Sequence, residues 1–151
     1  MPSDVVIRPA RRTELWSVLE LWAAADAVPS VTDDVDGLEN LVTTDPGALL
    51  VATVDDQIVG TLVAAWDGWR GNMYRLAVAP EHRRRGIAQA LVSAGAMHLR
   101  GRGARRVSAL VVGAHDEAVR FWAAAGYEHD RRIDRYVVSL GSTAPGPRPR
   151  E

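Results

Sequence analysis

The sequence contains no cysteine, which excludes disulfide bonds, thiolate-bound metals and a thiol nucleophile. No apolar run reaches the roughly 18 residues that a membrane-spanning helix needs, and the amino terminus lacks the charged-then-apolar pattern of a secretory signal. The chain also lacks a large excess of positive or negative charge, since its net charge is −1. A general nucleic-acid binder is normally basic overall. We therefore expect a soluble cytoplasmic protein with no membrane partner and no nucleic-acid partner.

The chain has 151 residues, of which 47% are hydrophobic, and this is enough for one domain with a buried core. Apolar periodicity and turn residues predict six strands, at 5–8, 48–54, 58–66, 73–78, 106–112 and 133–140. They predict four helices, around 15–22, 38–42, 87–99 and 116–125. Strands and helices mix without strict alternation, which predicts an α+β domain over residues 1–140 with a central, mixed and mostly antiparallel sheet flanked by helices. Residues 141–151 hold three prolines and predict a disordered tail.

Helix boundaries can also be predicted from the residues that flank the apolar stripes. Thr13 precedes the first helix and is a candidate N-cap. Gly101 and Gly103 are placed to end the third helix, and Gly126 is placed to end the fourth. His98 lies within the third helix, where we expect it at the surface.

The most informative segment runs from Val78 to Ala88 and lies between a predicted strand and a predicted helix. Three of its residues fit the form Q/R-x-x-G-x-G/A: Arg83, Gly86 and Ala88. Such a loop turns backbone N–H groups toward one point, where the helix dipole adds partial positive charge. Three successive arginines add full charge. The segment therefore predicts a pyrophosphate site, with a solvated basic turn as the alternative.

A second motif, His115 to Tyr127, has the sequence H-D-E-A-V-R-F-W-A-A-A-G-Y. It resembles the N-x-x-A-x-x-F-Y-x-x-x-G-F segment of the GNAT superfamily, the Gcn5-related N-acetyltransferases, and the Val78–Ala88 segment resembles the most diagnostic motif of that family. The likeness covers roughly residues 5–140 and includes the order of the elements. It implies a small single-domain N-acetyltransferase that uses acetyl-CoA.

The resemblance also implies roles for individual residues. The predicted strand 73–78 should separate from the strand 106–112, and the cofactor should fill the gap between them. Its pantetheine arm should meet the backbone of three residues: Leu76, Ala77 and Val78. The pyrophosphate should be held by the loop and the helix start: Arg83, Arg84, Arg85, Gly86, Ile87 and Ala88. Trp122 should either contact the cofactor or pack in the core.

The catalytic groups depart from the family pattern. Acetyl transfer to an amine requires a neutral amine and a stabilised or protonated leaving thiolate. The positions at which relatives place a tyrosine or a glutamate hold Trp122, Asn72 and Leu110 here, and none of these is a useful acid or base. Water could carry the proton. The alternatives are Tyr74, which shares a strand face with Asn72 unless a bulge intervenes, and His115, whose ordinary pKa is near neutral.

The acceptor end is less readable from sequence. Acidic residues between the first two helices could attract a cationic amine or could belong to a solvated loop: Asp26, Asp33, Asp34 and Asp36. Trp66 and Trp69 bracket a turn and could wall the acceptor pocket or pack at the surface. No group of residues has metal-ligand spacing, so we expect no metal.

The function that the resemblance implies is direct acetyl transfer from acetyl-CoA to the primary amine of a small molecule or a peptide. Without a cysteine or a Ser/His/Asp motif, we expect no covalent enzyme intermediate. The alternative is a non-catalytic acyl-CoA-binding module. A homodimer is compatible with the sequence, although no residue pattern requires one.

Overall fold

The computed structural model describes residues 4–25, 27, 30–113 and 116–141. Within them, five strands form one sheet in the order β1-β2-β3-β4-β5. The strands are β1 Val5–Pro9, β2 Leu49–Val54, β3 Gln57–Trp66, β4 Gly71–Val78 and β5 Val107–Ala109. The helices are α1 Leu15–Ala24, α2 Val35–Thr44, α3 Ile87–Arg102 and α4 Asp116–Ala124, with short 3-10 turns at Arg12–Glu14 and Pro80–His82.

The sheet is mixed and mostly antiparallel. The pairs β1–β2, β2–β3 and β3–β4 are antiparallel, whereas β4 and β5 run parallel. A parallel pair needs a crossover connection, which α3 provides here. The predicted α+β class is therefore confirmed, and the four first strands begin and end within two residues of their predicted bounds.

The two faces of the sheet are covered by different helices. On one face, Leu62 and Met73 pack with Leu91 and Leu99 of α3. On the other face, α1 and α2 cover a second cluster that includes Val63. A Cβ atom on Gly95 would lie 2.6 Å from the side chain of Leu62. The glycine in the middle of α3 thus lets the helix lie close to β3.

The predicted strand 133–140 is wrong, because no residue of this segment lies in a strand. Its apolar side chains are exposed: Ile133, Tyr136, Val137, Val138 and Leu140. β-Branched and aromatic residues favour strands only when a neighbouring strand pairs with their backbone and covers one face. In the part of the chain that the structure describes, residues 133–140 have no such ladder.

Two other sequence predictions need correction. The strand predicted at 106–112 is shorter, because its pairing with β4 ends at Ala109. Thr13 is not the N-cap of α1, since it lies inside the preceding 3-10 turn. Glu14 organises this entry instead: its carboxylate accepts hydrogen bonds from the Arg11 backbone N–H at 2.8 Å and from the Arg8 guanidinium at 2.7 and 2.8 Å.

His98 was expected at the surface but is partly buried. Its Nε2 atom lies 3.1 Å from Oδ2 of Asp45, and Oδ1 of the same carboxylate lies 2.8 Å from the Arg102 guanidinium. A Cβ atom on Gly47 would lie 2.6 Å from the imidazole ring, so the glycine makes room for His98. The cluster joins the corner before β2 to the last turns of α3.

Two of the three glycines predicted to end helices do so. Gly103 follows α3 with φ of 109°, and Gly126 follows α4 with φ of 94°, a backbone region in which glycine is favoured. Gly101 lies inside α3 instead. No helix among the described residues is long and apolar enough to cross a bilayer. Most of the predicted tail, residues 142–151, lies outside the described residues.

Candidate active site

The main cleft begins where β4 and β5 stop pairing. The last paired residues are Met73 and Ala109, followed by one hydrogen bond from the Leu110 backbone N–H to the Met73 carbonyl at 3.0 Å. Beyond this point, residues 75–78 and residues 110–112 line one cleft of about 650 Å³. This volume is in the range of small-molecule sites, and the sheet therefore opens into a ligand-sized gap.

A bulge in β4 coincides with the separation. The register between β3 and β4 shifts between Thr61 and Val63, and Arg75 adopts a left-handed φ of 55°. A bulge inserts one extra residue, bends its strand and raises its twist. Tyr74 lies before the bulge and packs in the cluster under α1 and α2, whereas Leu76, after the bulge, packs on the α3 side.

The far end of the cleft is formed by the start of α3. Gly86 is the N-cap residue, with a left-handed φ of 78°, and no side chain of the described residues caps this helix end. The first turn of α3 also contains no acidic residue, so its free N–H groups and positive dipole end are available to an anion. A Cβ atom on Gly86 would meet no atom of the part of the chain that the structure describes within 4 Å. Arg83 and Arg84 add positive charge beside this end of the cleft.

Helix α4 supplies another wall. Trp122 lines the cleft and also packs in edge-to-face geometry on Phe121 and Tyr127, with ring centroids 5.3 and 4.9 Å apart. The Tyr127 hydroxyl lies 3.6 Å from the Met73 sulfur, and burial raises its pKa. Glu117, in the first turn of α4, is the one carboxylate that lines the described part of the cleft.

Most residues predicted to bind the cofactor meet at this cleft. Those that line it are Leu76, Ala77, Val78, Arg83, Arg84, Gly86, Ile87, Ala88 and Trp122. Arg85 is exposed and is not among the lining residues; its guanidinium lies 3.4 Å from Nδ1 of His82. Tyr74 is not a lining residue either. His115 lies outside the described residues, so its catalytic role stays a prediction.

The structure adds lining residues that the sequence did not single out. These are Ala25, Ala27, Arg75, Gln89, Val111, Val112, Glu117, Ala118 and Phe121, and Leu110, named above as a position without an acid or base, lines the cleft as well. Glu117, Ala118 and Phe121 belong to the second motif, and Gln89 directly follows the first, so the sequence around the motifs contained the signal. Nothing local marks Arg75, because its position depends on the register between two strands.

The tryptophans of the β3–β4 turn do not wall this cleft. Trp66 and Trp69 lie at the opposite end of β4, beside a separate groove of about 440 Å³ that arginines also line. Trp69 is exposed and carries the Arg70 guanidinium 4.1 Å from its ring centroid. The described residues contain no group of three or more histidines, aspartates or glutamates that could hold a metal ion.

Comparison with known proteins gives concordant matches. The model of the acetyltransferase (GNAT) family matches residues 14–127. Acetyltransferase plu1384 of Photorhabdus laumondii is 36% identical over 134 residues, which cover 88% of this chain and 92% of that protein. Acetyltransferase SG1711 of Sodalis glossinidius is 34% identical over 122 residues, covering 81% and 86%.

Solved structures share the fold. The aminoglycoside N-acetyltransferase AAC(6')-Iy in complex with CoA matches with a TM-score of 0.73 at 21% identity, covering 91% of this chain and 97% of that one. Ard1 from Thermoplasma volcanium matches with a TM-score of 0.72 at 24% identity, covering 81% of each chain. At these identities the likeness concerns the architecture alone.

Proposed function

Since the chain belongs to the acetyltransferase (GNAT) family and is thereby an acetyl-CoA-dependent N-acetyltransferase, we propose that it acetylates the primary amine of a small molecule or a peptide by direct transfer. The observation that carries the proposal is the cleft between β4 and residues 110–112, which extends to the start of α3. The family match does not favour the alternative of a non-catalytic acyl-CoA-binding module.

The start of α3 is suited to the pyrophosphate of the co-substrate. We assign this group to the uncapped N–H groups that follow Gly86 and to the cationic side chains of Arg83 and Arg84. The Arg83 Nε atom donates to the Val78 carbonyl at 3.2 Å, so part of its side chain also ties the loop to β4. Arg85 stays in the proposal as an electrostatic contributor at longer range, since charges separated by less than about 8–10 Å still interact at physiological salt.

The end of β4 is suited to the pantetheine arm. Leu76 to Val78 have no β5 residue paired with them, so backbone groups on this edge are free for an extended ligand, which can add to a sheet like another strand. Ile87 and Ala88 line the cleft as well, and Trp122 adds an apolar ring to the lining.

Direct transfer requires no covalent bond between the protein and the acetyl group. When bound, acetyl-CoA supplies a thioester whose acyl carbon the amine nitrogen attacks and whose sulfur leaves as a thiolate. An amine with a pKa of about 10.4 costs roughly 4–5 kcal/mol to deprotonate at pH 7. The chain has no cysteine to form an acyl-enzyme, so the cleft acts by holding the amine and the thioester in contact.

The proton carrier is the open part of the mechanism. We propose Tyr74, His115 or a water molecule as candidates from the sequence, and Glu117 as a further candidate because it lines the cleft. Separate variants discriminate among them: Tyr74→Phe, His115→Ala and Glu117→Gln. A carrier is identified by a variant that lowers turnover and removes one limb of the pH–rate profile. Unchanged profiles in all three variants would leave water as the carrier.

The activity is tested by CoA release from acetyl-CoA, detected with a thiol reagent across a panel of amino acids, polyamines, aminoglycosides and peptides. The protein adds no thiol background, because it has no cysteine. Calorimetry with acetyl-CoA alone should run in parallel. Binding together with CoA release for one class of amine supports the proposal and names the acceptor. Binding without release for any amine would favour the binding module.

Two further parts of the proposal concern the setting of the enzyme. Because acetyl-CoA is an intracellular metabolite, we propose that the enzyme works in the cytoplasm. A homodimer belongs to the proposal as well, and sedimentation at micromolar concentration would test it by mass. Neither part affects the assignment of the cleft.

A further inference from the structure

Arg75 is the lining residue of the cleft at which β4 bulges and leaves β5. We propose that Arg75 is a positioning residue for the amine acceptor, because it clamps the Asp33 segment between α1 and α2 against the bulge and so fixes the wall at the acceptor end. The inference rests on the proposed function, since the acceptor is the amine of that reaction. Neither of the two sequence motifs contains Arg75.

The backbone of Arg75 is held by a side chain of the neighbouring strand β3. The hydroxyl of Thr61 donates to the Arg75 carbonyl at 3.0 Å and accepts a hydrogen bond from Nε1 of Trp22 at 2.8 Å. Thr61 and Trp22 are both buried. A residue other than glycine is disfavoured in the left-handed region, and the bond from Thr61 helps to hold Arg75 in it.

The side chain of Arg75 is held on two sides. Its guanidinium carbon lies 5.2 Å from the Trp22 ring centroid, within the range of a cation–π contact. Its Nη2 atom forms an ion pair with Oδ2 of Asp33, and both side chains are largely buried. The same carboxylate oxygen accepts a hydrogen bond from the Ser30 backbone N–H at 3.0 Å. The clamp therefore joins β4, α1 and the segment that leads into α2.

The clamp borders the part of the cleft opposite the phosphate loop. Ala25 and Ala27 line the cleft together with Arg75, and they lie between α1 and the Asp33 segment. The Ala27 backbone N–H donates to the carbonyl of Trp22 at 3.0 Å, and Arg75 packs on the ring of the same residue, so the clamp and this wall share one anchor on α1. An acceptor amine that reaches the thioester between this wall and β4 depends on the wall being in place.

Two of the acidic residues before α2 have structural roles. The charge of Asp33 is balanced by Arg75, and the Asp34 carboxylate caps α2 by accepting from the Gly37 backbone N–H at 2.7 Å. The Asp33 carboxylate is therefore paired within the protein and is not a free charge that attracts a cationic amine, whereas Asp34 and Asp36 are exposed and keep their negative charges.

The test compares Asp33→Asn with Asp36→Asn. Both variants remove one negative charge from the same region, but Asp36 is an exposed residue in the first turn of α2 and has no part in the clamp. We expect Asp33→Asn to raise the acceptor KM about tenfold, the equivalent of one 1.4 kcal/mol contact, and to leave the acetyl-CoA KM within about twofold. Asp36→Asn should change neither. Equal rises in both variants would show attraction by charge and overturn the clamp.

Arg75 variants separate the side chain from the backbone. Arg75→Ala and Arg75→Gly both remove the clamp, but glycine accepts the left-handed backbone without strain. We expect both to raise the acceptor KM alike, with the glycine variant the more stable. An acceptor KM restored to the wild-type value in Arg75→Gly would show that the backbone alone matters.

The clamp can also be measured without turnover. Hydrogen exchange of a peptide that contains Ser30 should be faster in Asp33→Asn than in wild type and unchanged in Asp36→Asn, because only Asp33 accepts from the Ser30 N–H. If no amine is acetylated by the wild-type enzyme, the proposed function fails while exchange still measures the clamp. If exchange is unchanged in Asp33→Asn, the clamp is overturned and acetyl transfer is unaffected.

Discussion

The hydroxyl of Thr61 donates a 3.0 Å hydrogen bond to the carbonyl of Arg75, and this bond lies at the β4 bulge where the sheet opens. Thr61 is fully buried and also accepts from the indole N–H of Trp22. One hydroxyl therefore satisfies a buried donor and a buried acceptor, and it links the core under α1 to the edge of the cleft.

Replacement of Thr61 by valine should destabilise the protein. Valine has nearly the same shape but leaves the Trp22 N–H and the Arg75 carbonyl without that partner, and each unsatisfied buried group costs about 1–3 kcal/mol. We expect a loss of about 2–4 kcal/mol in the free energy of unfolding, measured by urea denaturation. Thr61→Ser retains the hydroxyl and should lose clearly less. A Thr61→Val loss no larger than that of Thr61→Ser would contradict this role of the hydroxyl.

Replacement of Gly86 by alanine should weaken acetyl-CoA binding. The left-handed φ of 78° becomes strained by about 1–2 kcal/mol with a Cβ atom, and the methyl group enters the open space where we place the pyrophosphate. The matched control is Gly68→Ala, since Gly68 has φ of 94°, an equally open surround and a position in the β3–β4 turn. Both variants should lose similar stability, but only Gly86→Ala should raise the acetyl-CoA KM. A similar KM in both would remove the phosphate assignment.

The Arg8–Glu14 pair should make stability depend on pH in the acid range. The Arg8 guanidinium lowers the pKa of Glu14 from 4.5 to about 2. Because the folded state holds this proton less tightly than the unfolded state, the contribution is complete above pH 4.5 and is lost as the pH falls toward 2. Glu14→Gln should cost roughly 1–2 kcal/mol at pH 7, and its difference from wild type should shrink at pH 3. A pH-independent difference in urea unfolding would contradict this account.

Replacement of Asp45 by asparagine should loosen the junction between the start of β2 and the end of α3. Burial raises the pKa of Asp45, but hydrogen bonds from Arg102 and His98 outweigh this effect and lower it below its usual value. Removing the charge of Asp45 leaves the Arg102 guanidinium without this partner, at a cost of about 2 kcal/mol for a partly buried pair. The control is Asp55→Asn, an exposed turn residue with φ of 49° that asparagine tolerates. Thermal unfolding should show a lower Tm for Asp45→Asn alone.

The end of the cleft where we place the pyrophosphate could be predicted from sequence because its features are local. A helix start without an acidic first turn, a glycine at the N-cap and neighbouring arginines are all visible between Val78 and Ala88. The positions of the first four strands along the chain could be predicted for the same reason, since alternation and turn residues act over a few positions.

The strand predicted at 133–140 shows where local patterns fail. Its residues have high strand propensity, yet a strand forms only when another strand pairs with it. The residues of the segment do not show whether such a partner is available. The shortened β5 has a related cause, since its length depends on where β4 turns away.

The sequence by itself determined the α+β class, the family and the loop that we propose for the pyrophosphate, because each depends on residues that are close together in the chain. Only the tertiary structure decided where the sheet opens, that Arg75 bulges at this point, and that Asp33 and Trp22 hold it. These three residues are separated by up to 53 positions in the sequence. Their contacts follow from strand register and helix packing, which depend on the whole fold.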